Sequence, residues 1–299
     1  MIKSFEELFF CLKEKGRERI IVAGAEDIEA VKAAKESFEM GIGEAVLVGD
    51  LSKIDSILDE IGDKSFVKTI VKATNDGEKG YFAVQEAKKN GVLLKGNIKT
   101  ATLLKAVLNK EWGLRTEKIV SDVFVFEDSR EENKKLVLMS DGGVNIRPDL
   151  PALVSIVNNA VEVSHKLGNE NPRVALISAV ETVNPDMDDT INASIISKMS
   201  QRGQIKGCII DGPLALDNAI SPFSAEKKGI KSQVAGNADI LIVPNIVAGN
   251  VLGKSINYYA KLRNAHIIVG AKASVLIPSR ADLSDVKFNS IALAIASKV

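Results

Sequence analysis

A chain of 299 residues is too long for one ordinary domain and comfortable for two of average size. Apolar residues make up 45% and charged residues 26%, the balance of a globular protein with real cores rather than of a disordered chain. Lysine plus arginine equals aspartate plus glutamate at 39 each, so no net field attracts nucleic acid or an anionic membrane, and any bound anion must be held by a local arrangement.

The opening segment, MIKSFEELFFCLKEKG, carries charges throughout and lacks the unbroken apolar core of a signal peptide. Then β-rich runs alternate with helical patterns. RIIVAGA (19–25) precedes the helix EDIEAVKAAKESFEMG (26–41), and EAVLVGD (44–50) and FVKTIV (66–71) follow as strands. The helix EKGYFAVQEAKKNG (78–91) leads to the strand GVLLKGN (91–97) and the helix TATLLKAVLNK. DVFVFED (122–128) and KLVLMSD (135–141) read as strands; PALVSIVNNAVEVSHKLG (151–168) is a helix that starts on Pro151 and stops at Gly168. RVALISAV (173–180), GCIIDG (207–212), DILIVPN (239–245) and HIIVGAKASVLI (266–277, one strand or two) close the series. Most are near-continuous apolar runs, as parallel strands covered on both faces require. The alternation predicts an α/β protein with a largely parallel sheet in each half.

No run approaches the roughly 18 apolar residues of a membrane span. Cys11 and Cys208 are far apart and lack metal-ligand spacing, which points to a reduced, cytoplasmic protein; Cys208, in KGCII, reads as a small core residue. The polar stretch GGVNIRPDLP (142–151) is the expected domain seam, with DSREENKK (128–135) as its rival.

In parallel α/β sheets, ligands bind beyond the carboxyl ends of the strands. The loops there share a composition. Gly96, Asn97, Lys99 and Thr100 follow one strand; Gly142, Gly143 and Asn145 another; Asp211, Gly212 and Pro213 a third. Asn245, Gly249 and Asn250 follow DILIV, and Ser279 and Arg280 follow ASVLI. Backbone N–H groups, small side chains and isolated cations at helix starts suit phosphate. Each loop taken alone is also ordinary turn chemistry.

Neither GxGxxG, nor GxxxxGK[ST], nor GxSxG occurs. The two histidines, His165 in an amphipathic helix and His266 at the start of a buried strand, read as structural, so base work falls to a carboxylate.

Four stretches, LLKGNIKTATLLKAVLNKEWGLRT (93–116), SKMSQRGQIKGCIIDGPLALDNA (197–219), VAGNADILIVPNIVAGNVLGKSINY (234–258) and PSRADLSDVKFNSIALA (278–294), closely resemble phosphate butyryltransferases of the phosphate acetyl/butyryltransferase family. The resemblance implies reversible transfer of a butyryl or similar short or branched acyl group from acyl-CoA to inorganic phosphate, giving acyl phosphate and CoA. It also implies two α/β domains with a cleft, similar to isocitrate and isopropylmalate dehydrogenases. In such an arrangement 1–145 plus 280–299 form the first domain and 146–279 the second. No metal or cofactor is implied beyond CoA as substrate or product, and a homodimer or larger assembly is expected.

Carried over by residue, Ser279 and Arg280 match the family's SR pair. An arginine binds phosphate in bidentate fashion, and a serine hydroxyl can donate to an oxyanion or a thiol sulfur. Asp285 stands nearest to the catalytic aspartate of the acetyl branch, but its spacing differs, and the D-x-x-D of Asp282 and Asp285 also suits helix capping. Lys105 lies where related enzymes commonly show a CoA-binding arginine; it keeps the charge and loses the fork. Arg115 matches the butyryl branch and equally suits a surface ion pair. Two rival functions are a metal- and NAD-dependent hydroxy-acid dehydrogenase, with Asp186, Asp188 and Asp189 as the densest acidic group, and a non-catalytic acyl-CoA binding protein.

Overall fold

The computed structural model describes residues 1–130, 134–279 and 282–298. The chain forms two compact units, Phe5–Lys118 with Ala265–Val299 (unit I) and Ile119–Asn264 with Met1–Ser4 (unit II). In chain order the first segment holds α1 (Phe5–Leu12), β1 (Glu18–Ala23), α2 (Ile28–Glu39), β2 (Gly43–Gly49), α3 (Leu51–Ile61), β3 (Val67–Lys72), α4 (Asp76–Ala87), β4 (Gly91–Lys95) and α5 (Thr100–Val107). The middle segment holds β5 (Ser121–Asp128), β6 (Lys135–Ser140), α6 (Leu150–Lys166), β7 (Arg173–Ile177), α7 (Asp188–Gln201), β8 (Ile209–Leu214), α8 (Leu216–Ile220), α9 (Pro222–Lys227), β9 (Ile240–Ile242) and α10 (Ile246–Tyr258). The last holds β10 (Asn264–Val269), β11 (Val275–Leu276) and α11 (Ser284–Ala296).

Unit I orders its strands β3-β2-β1-β4-β11-β10. All neighbours are parallel except β10 and β11, with Ile21 opposite both Val46 and Leu93. The inner strands are buried along most of their length, hence their unbroken apolar runs, whereas the edge strand β3 is mostly exposed and carries Lys68 and Lys72, whose charges blunt further strand pairing. Unit II orders β5-β6-β9-β7-β8, parallel apart from the β5–β6 hairpin. Its core gathers Phe124, Met139, Ala175, Leu241 and Val243.

The boundaries differ from the expected 145 and 280. The units divide at 118/119 and 264/265 instead. The reason is strand pairing: β6 bonds to β9, which draws 119–145 into unit II, and β11 bonds to β4, which draws 265–279 into unit I. The Gly/Pro/Asn-rich stretch at 142–151 is therefore a connection inside unit II.

Helix starts follow their side chains. Asp27, Asp50, Asn75, Asp149 and Asn245 each accept a backbone N–H in the first turn of α2, α3, α4, α6 and α10. The last helix is different. Every residue of α11 from Val286 to Ala296 is buried, as in a helix enclosed by its neighbours, and Phe288 stacks 4.9 Å from Phe9. Large buried side chains such as Phe288, Ile291 and Leu293 contribute about 1.5–3 kcal/mol each, which ties the end of the chain firmly to α1 and α2. Among the described residues no helix is long and apolar enough to cross a membrane.

Candidate active site

In unit I the carboxyl ends of β1, β4 and β11 carry the loops of interest. Gly24 holds φ +82, and a Cβ there would stand 2.5 Å from the backbone of Asn97. A Cβ on Gly96 would likewise meet the Gly24 carbonyl at 2.3 Å, so the two loops interlock through bare backbone, with Asn97 N–H donating to Gly24 O at 2.7 Å. Beneath them lie ammonium groups that are almost fully buried. Lys79, 8% exposed, reaches Glu26 Oε1 at 3.0 Å and the Asn97 carbonyl at 3.3 Å. Lys95, 4% exposed, donates to the Gly96 carbonyl at 3.3 Å. Glu26 neutralises Lys79, and Lys95 ends β4 against the Gly96 carbonyl, so both ammonium groups brace the interlocked loops from below.

Ser279 follows β11 and is exposed. Its N–H donates to Asp282 Oδ2 at 2.8 Å, and the Asp282 N–H returns a bond to Ser279 O at 3.1 Å, so the two residues hold each other by a pair of hydrogen bonds. Lys287, 1% exposed, donates to the Asp282 carbonyl from within α11. The next link is Glu29, whose Oε2 accepts the Ser284 N–H at 3.0 Å. Burial is the largest influence on the Glu29 carboxyl and pushes it up, but hydrogen bonds from Lys32 and Ser284, with the charges of Lys32 and Lys287, outweigh it and hold the group below its ordinary value. Arg280 lies outside the described residues.

Asp285 is exposed in the first turn of α11, and its Oδ1 accepts the Val286 N–H at 2.8 Å. Neither aspartate of the D-x-x-D caps the helix. The cap position is Leu283, without a side-chain bond, because the Asp282 carboxylate turns back to Ser279. Thr100 opens α5, exposed, and Lys105 stands exposed in the last turn of the same helix, roughly 7–8 Å further along the axis. There its charge complements the helix dipole. Arg115 is exposed with no ion-pair partner among the described residues.

In unit II three of the expected binding residues are committed to the fold. Asn145 donates through Nδ2 to the Val120 carbonyl at 2.9 Å and to Asp141 Oδ2. Asp141 in turn accepts the N–H groups of Gly143, Val144 and Asn145 at 2.9, 2.9 and 3.1 Å. Asn245 caps α10 by accepting Ala248 N–H at 3.1 Å. Gly249 and Asn250 lie one turn inside that helix rather than at its start. A Cβ at Gly249 would meet Gly142 Cα at 2.6 Å, so this glycine permits α10 to press against the turn after β6. Asn250 is exposed.

A cavity of about 990 Å³ opens at the strand ends of unit II, where α6, α7 and α10 begin. Asp149, Asp186, Asp188 and Asp189 line it against the single cation Arg147, so its walls do not favour a polyphosphate. Asp188 and Asp189 stand in the first turn of α7, and Asp189 accepts the Ser178 hydroxyl. Among the described residues no group of three or more His, Cys, Asp or Glu side chains is placed to hold a metal ion. Burial pushes the Cys208 thiol up to about 11, the behaviour of an inert packed cysteine.

The family model for phosphate acetyl/butaryl transferase matches residues 52–295. The chain belongs to that family. It is 45% identical over 296 residues to the phosphate butyryltransferase of Clostridium acetobutylicum, covering 98% of both chains. It is 41% identical over 291 residues to the phosphate acetyltransferase of Thermotoga maritima, covering 97% of this chain and 98% of that one. A branched-chain phosphotransacylase from Enterococcus faecalis superimposes with a TM-score of 0.82 at 29% identity, over 94% of this chain and 98% of that one.

Within this family member, sequence reasoning passed over Glu26, Lys79, Lys95 and Lys287. A signal exists for two of them. Lys95 ends the apolar strand GVLLK, and Lys287 is the one charged residue in the mostly apolar stretch VKFNSIALA. A lysine inside an apolar run is either at an element's end or buried for a reason. Lys79 and Glu26 sit in ordinary polar helix-start sequence and become a pair only through the approach of α4 to the loop after β1.

Proposed function

We propose that this protein catalyses reversible acyl transfer between CoA and inorganic phosphate, with butyryl and related short or branched acyl groups as substrates. A phosphate oxygen attacks the thioester carbonyl; the new C–O bond forms, the C–S bond breaks, and CoA leaves as thiolate. The observation that carries this reading is the fastened turn after β11, in which the SR pair of the family follows the strand end and Asp282 holds Ser279 in place. Ser279 is suited to donate to the oxyanion or the sulfur, and Arg280 to grip the phosphate in bidentate fashion. In the reverse direction Asp285 takes the proton of the CoA thiol, a group whose ordinary pKa is about 8.5. Neither a metal nor a covalent acyl-enzyme is called for when phosphate or thiolate attacks directly in a ternary complex, since proximity and charge stabilisation supply the rate.

Thr100, Lys105, Arg115 and Asn250, all exposed, are the substrate-binding residues of this reading; Asn145, Asn245 and Gly249 support the loops behind it. The architecture proposed with it is that of isocitrate and isopropylmalate dehydrogenases, two α/β domains and a cleft. The return of α11 to pack on α1 and α2 supports this. We place the enzyme in the cytoplasm as a homodimer or larger assembly.

Thiol release from acetyl-, butyryl-, valeryl- and isobutyryl-CoA, with and without phosphate, tests the proposal. The expected result is release that depends on phosphate and is fastest with a four- or five-carbon acyl group. Absence of phosphate-dependent release from every acyl-CoA, or reduction of NAD by a hydroxy acid in a parallel assay, overturns it.

A further inference from the structure

We propose that Glu29 is a positioning residue for the acyl-transfer reaction: by serving the start of α11, it leaves the carboxylate of Asp282 to Ser279. The proposal rests on the role given to Ser279 above, and its first test does not depend on activity.

The start of α11 has no cap of its own. The cap position holds Leu283, 65% exposed and without a side-chain hydrogen bond. A leucine cannot accept an N–H, and Ser, Thr, Asp or Asn normally stands there. The nearest acceptor along the chain is Asp282, one residue earlier. An aspartate side chain readily accepts the N–H two residues on, which here belongs to Ser284. The fold spends Asp282 differently. Its Oδ2 accepts the Ser279 N–H at 2.8 Å, and the Ser284 N–H goes at 3.0 Å to Oε2 of Glu29, 255 residues away in the chain.

Glu29 is well placed for this. It lies in the first turn of α2, a helix that Asp27 caps through the Ala30 N–H at 3.1 Å and that packs on α11. Its other oxygen, Oε1, accepts from Lys32 Nζ at 3.1 Å, so each carboxylate oxygen has a donor and the group is held toward Ser284. The Asp282 carbonyl is fastened separately by the Lys287 ammonium. The backbone of Asp282 therefore stays in place whichever N–H its carboxylate takes. Two donors, Ser279 and Ser284, compete for that carboxylate, and Glu29 settles the competition by removing one. Without Glu29 the open N–H at the positive end of a helix attracts Asp282, and the Ser279 N–H loses its acceptor.

Amide hydrogen exchange of the full-length protein, read residue by residue by NMR, tests this in Glu29→Ala and Glu29→Gln. In Glu29→Ala the Ser279 amide should exchange about fivefold or more faster, the factor a helix cap is worth, while the Ser284 amide stays protected by Asp282. Glu29→Gln, whose amide oxygen can still accept the Ser284 N–H, should leave both near their unaltered rates. In thiol release, kcat should fall by about the same factor in Glu29→Ala at unchanged KM for acyl-CoA, recover in Glu29→Gln, and fall no further when Glu29→Ala is added to Asp282→Ala. Two results overturn the proposal and make Glu29 a helix cap only: loss of protection at Ser284 with Ser279 unchanged, or the same loss of kcat from Glu29→Ala with and without Asp282. Absence of phosphate-dependent release by the unaltered protein overturns the acyl-transfer reading instead, and the exchange pattern still decides whether Glu29 governs Asp282.

Discussion

The ammonium of Lys287 donates to the carbonyl of Asp282, while the carboxylate of Asp282 receives the N–H of Ser279. A cation buried in α11 thus fastens the turn on which the family's serine stands. Lys287→Met keeps the length of the side chain and removes the donor. It should cost about 1–3 kcal/mol of stability, the penalty of an unsatisfied buried carbonyl, and lower the rate of thiol release as the turn loosens. Thermal unfolding and turnover on one preparation check both. Unchanged values for both would mean that Lys287 only fills space.

Arg280→Lys keeps the charge but loses the paired hydrogen bonds. Loss of a charge-stabilising donor in catalysis costs about 2.7–4 kcal/mol, or roughly a hundredfold to a thousandfold in kcat. Arg280→Ala should be at least as damaging, and Ser279→Ala should also lower turnover. A purely structural arginine predicts the reverse: reduced melting temperature and near-normal activity per folded molecule. Near-normal turnover in Arg280→Ala would end the assignment.

Asp285 and Asp282 are separable by pH. If Asp285 is the base, Asp285→Asn should slow acyl transfer to CoA by about 10²–10⁴, and the deficit should shrink as pH rises toward about 8.5, where the CoA thiol ionises unaided. Asp282→Ala, which only releases the turn, should lower kcat by a factor that does not change with pH. Asp282→Asn, whose amide oxygen can still accept the Ser279 N–H, should recover part of it. A pH-independent deficit in Asp285→Asn would move the base elsewhere.

Asp141 gives a pH dependence of stability. Burial, first, and repulsion from Asp122 raise its carboxyl above the ordinary 3.8, despite hydrogen bonds from Gly143, Asn145 and Val144. The folded state therefore holds its proton to higher pH than the unfolded state. The contribution is full below 3.8 and is lost as pH rises through the folded value. The stability difference between the unaltered protein and Asp141→Asn should then fall with rising pH across that window in denaturant titrations. A difference that rises with pH would contradict the assigned direction.

Much of the fold was legible because α/β proteins write their architecture in local patterns. Buried parallel strands need unbroken apolar runs, and helix starts need Asp or Asn, so GVLLK and the Asp149–Pro151 start announce themselves. The sequence by itself thus determined the class, the order of elements and the family.

Tertiary structure decided what no local pattern encodes. The unit boundaries moved because strand partners, not loop composition, settle which sheet a segment joins; β6 finds β9 about a hundred residues away. Asn145 and Gly249 read like ligand-binding loop residues, yet one is held by Asp141 and Val120 and the other is a point of backbone contact with Gly142. Hydrogen-bond partners far along the chain decide between those roles. The partner of Lys287 is likewise decided by folding: the sequence shows a lysine in a mostly apolar helix, and only the fold places its ammonium on the Asp282 carbonyl. Burial then converts a solvated charge into a fastening, because in a low-dielectric interior an ammonium must find acceptors, and here the acceptor is the turn that holds Ser279.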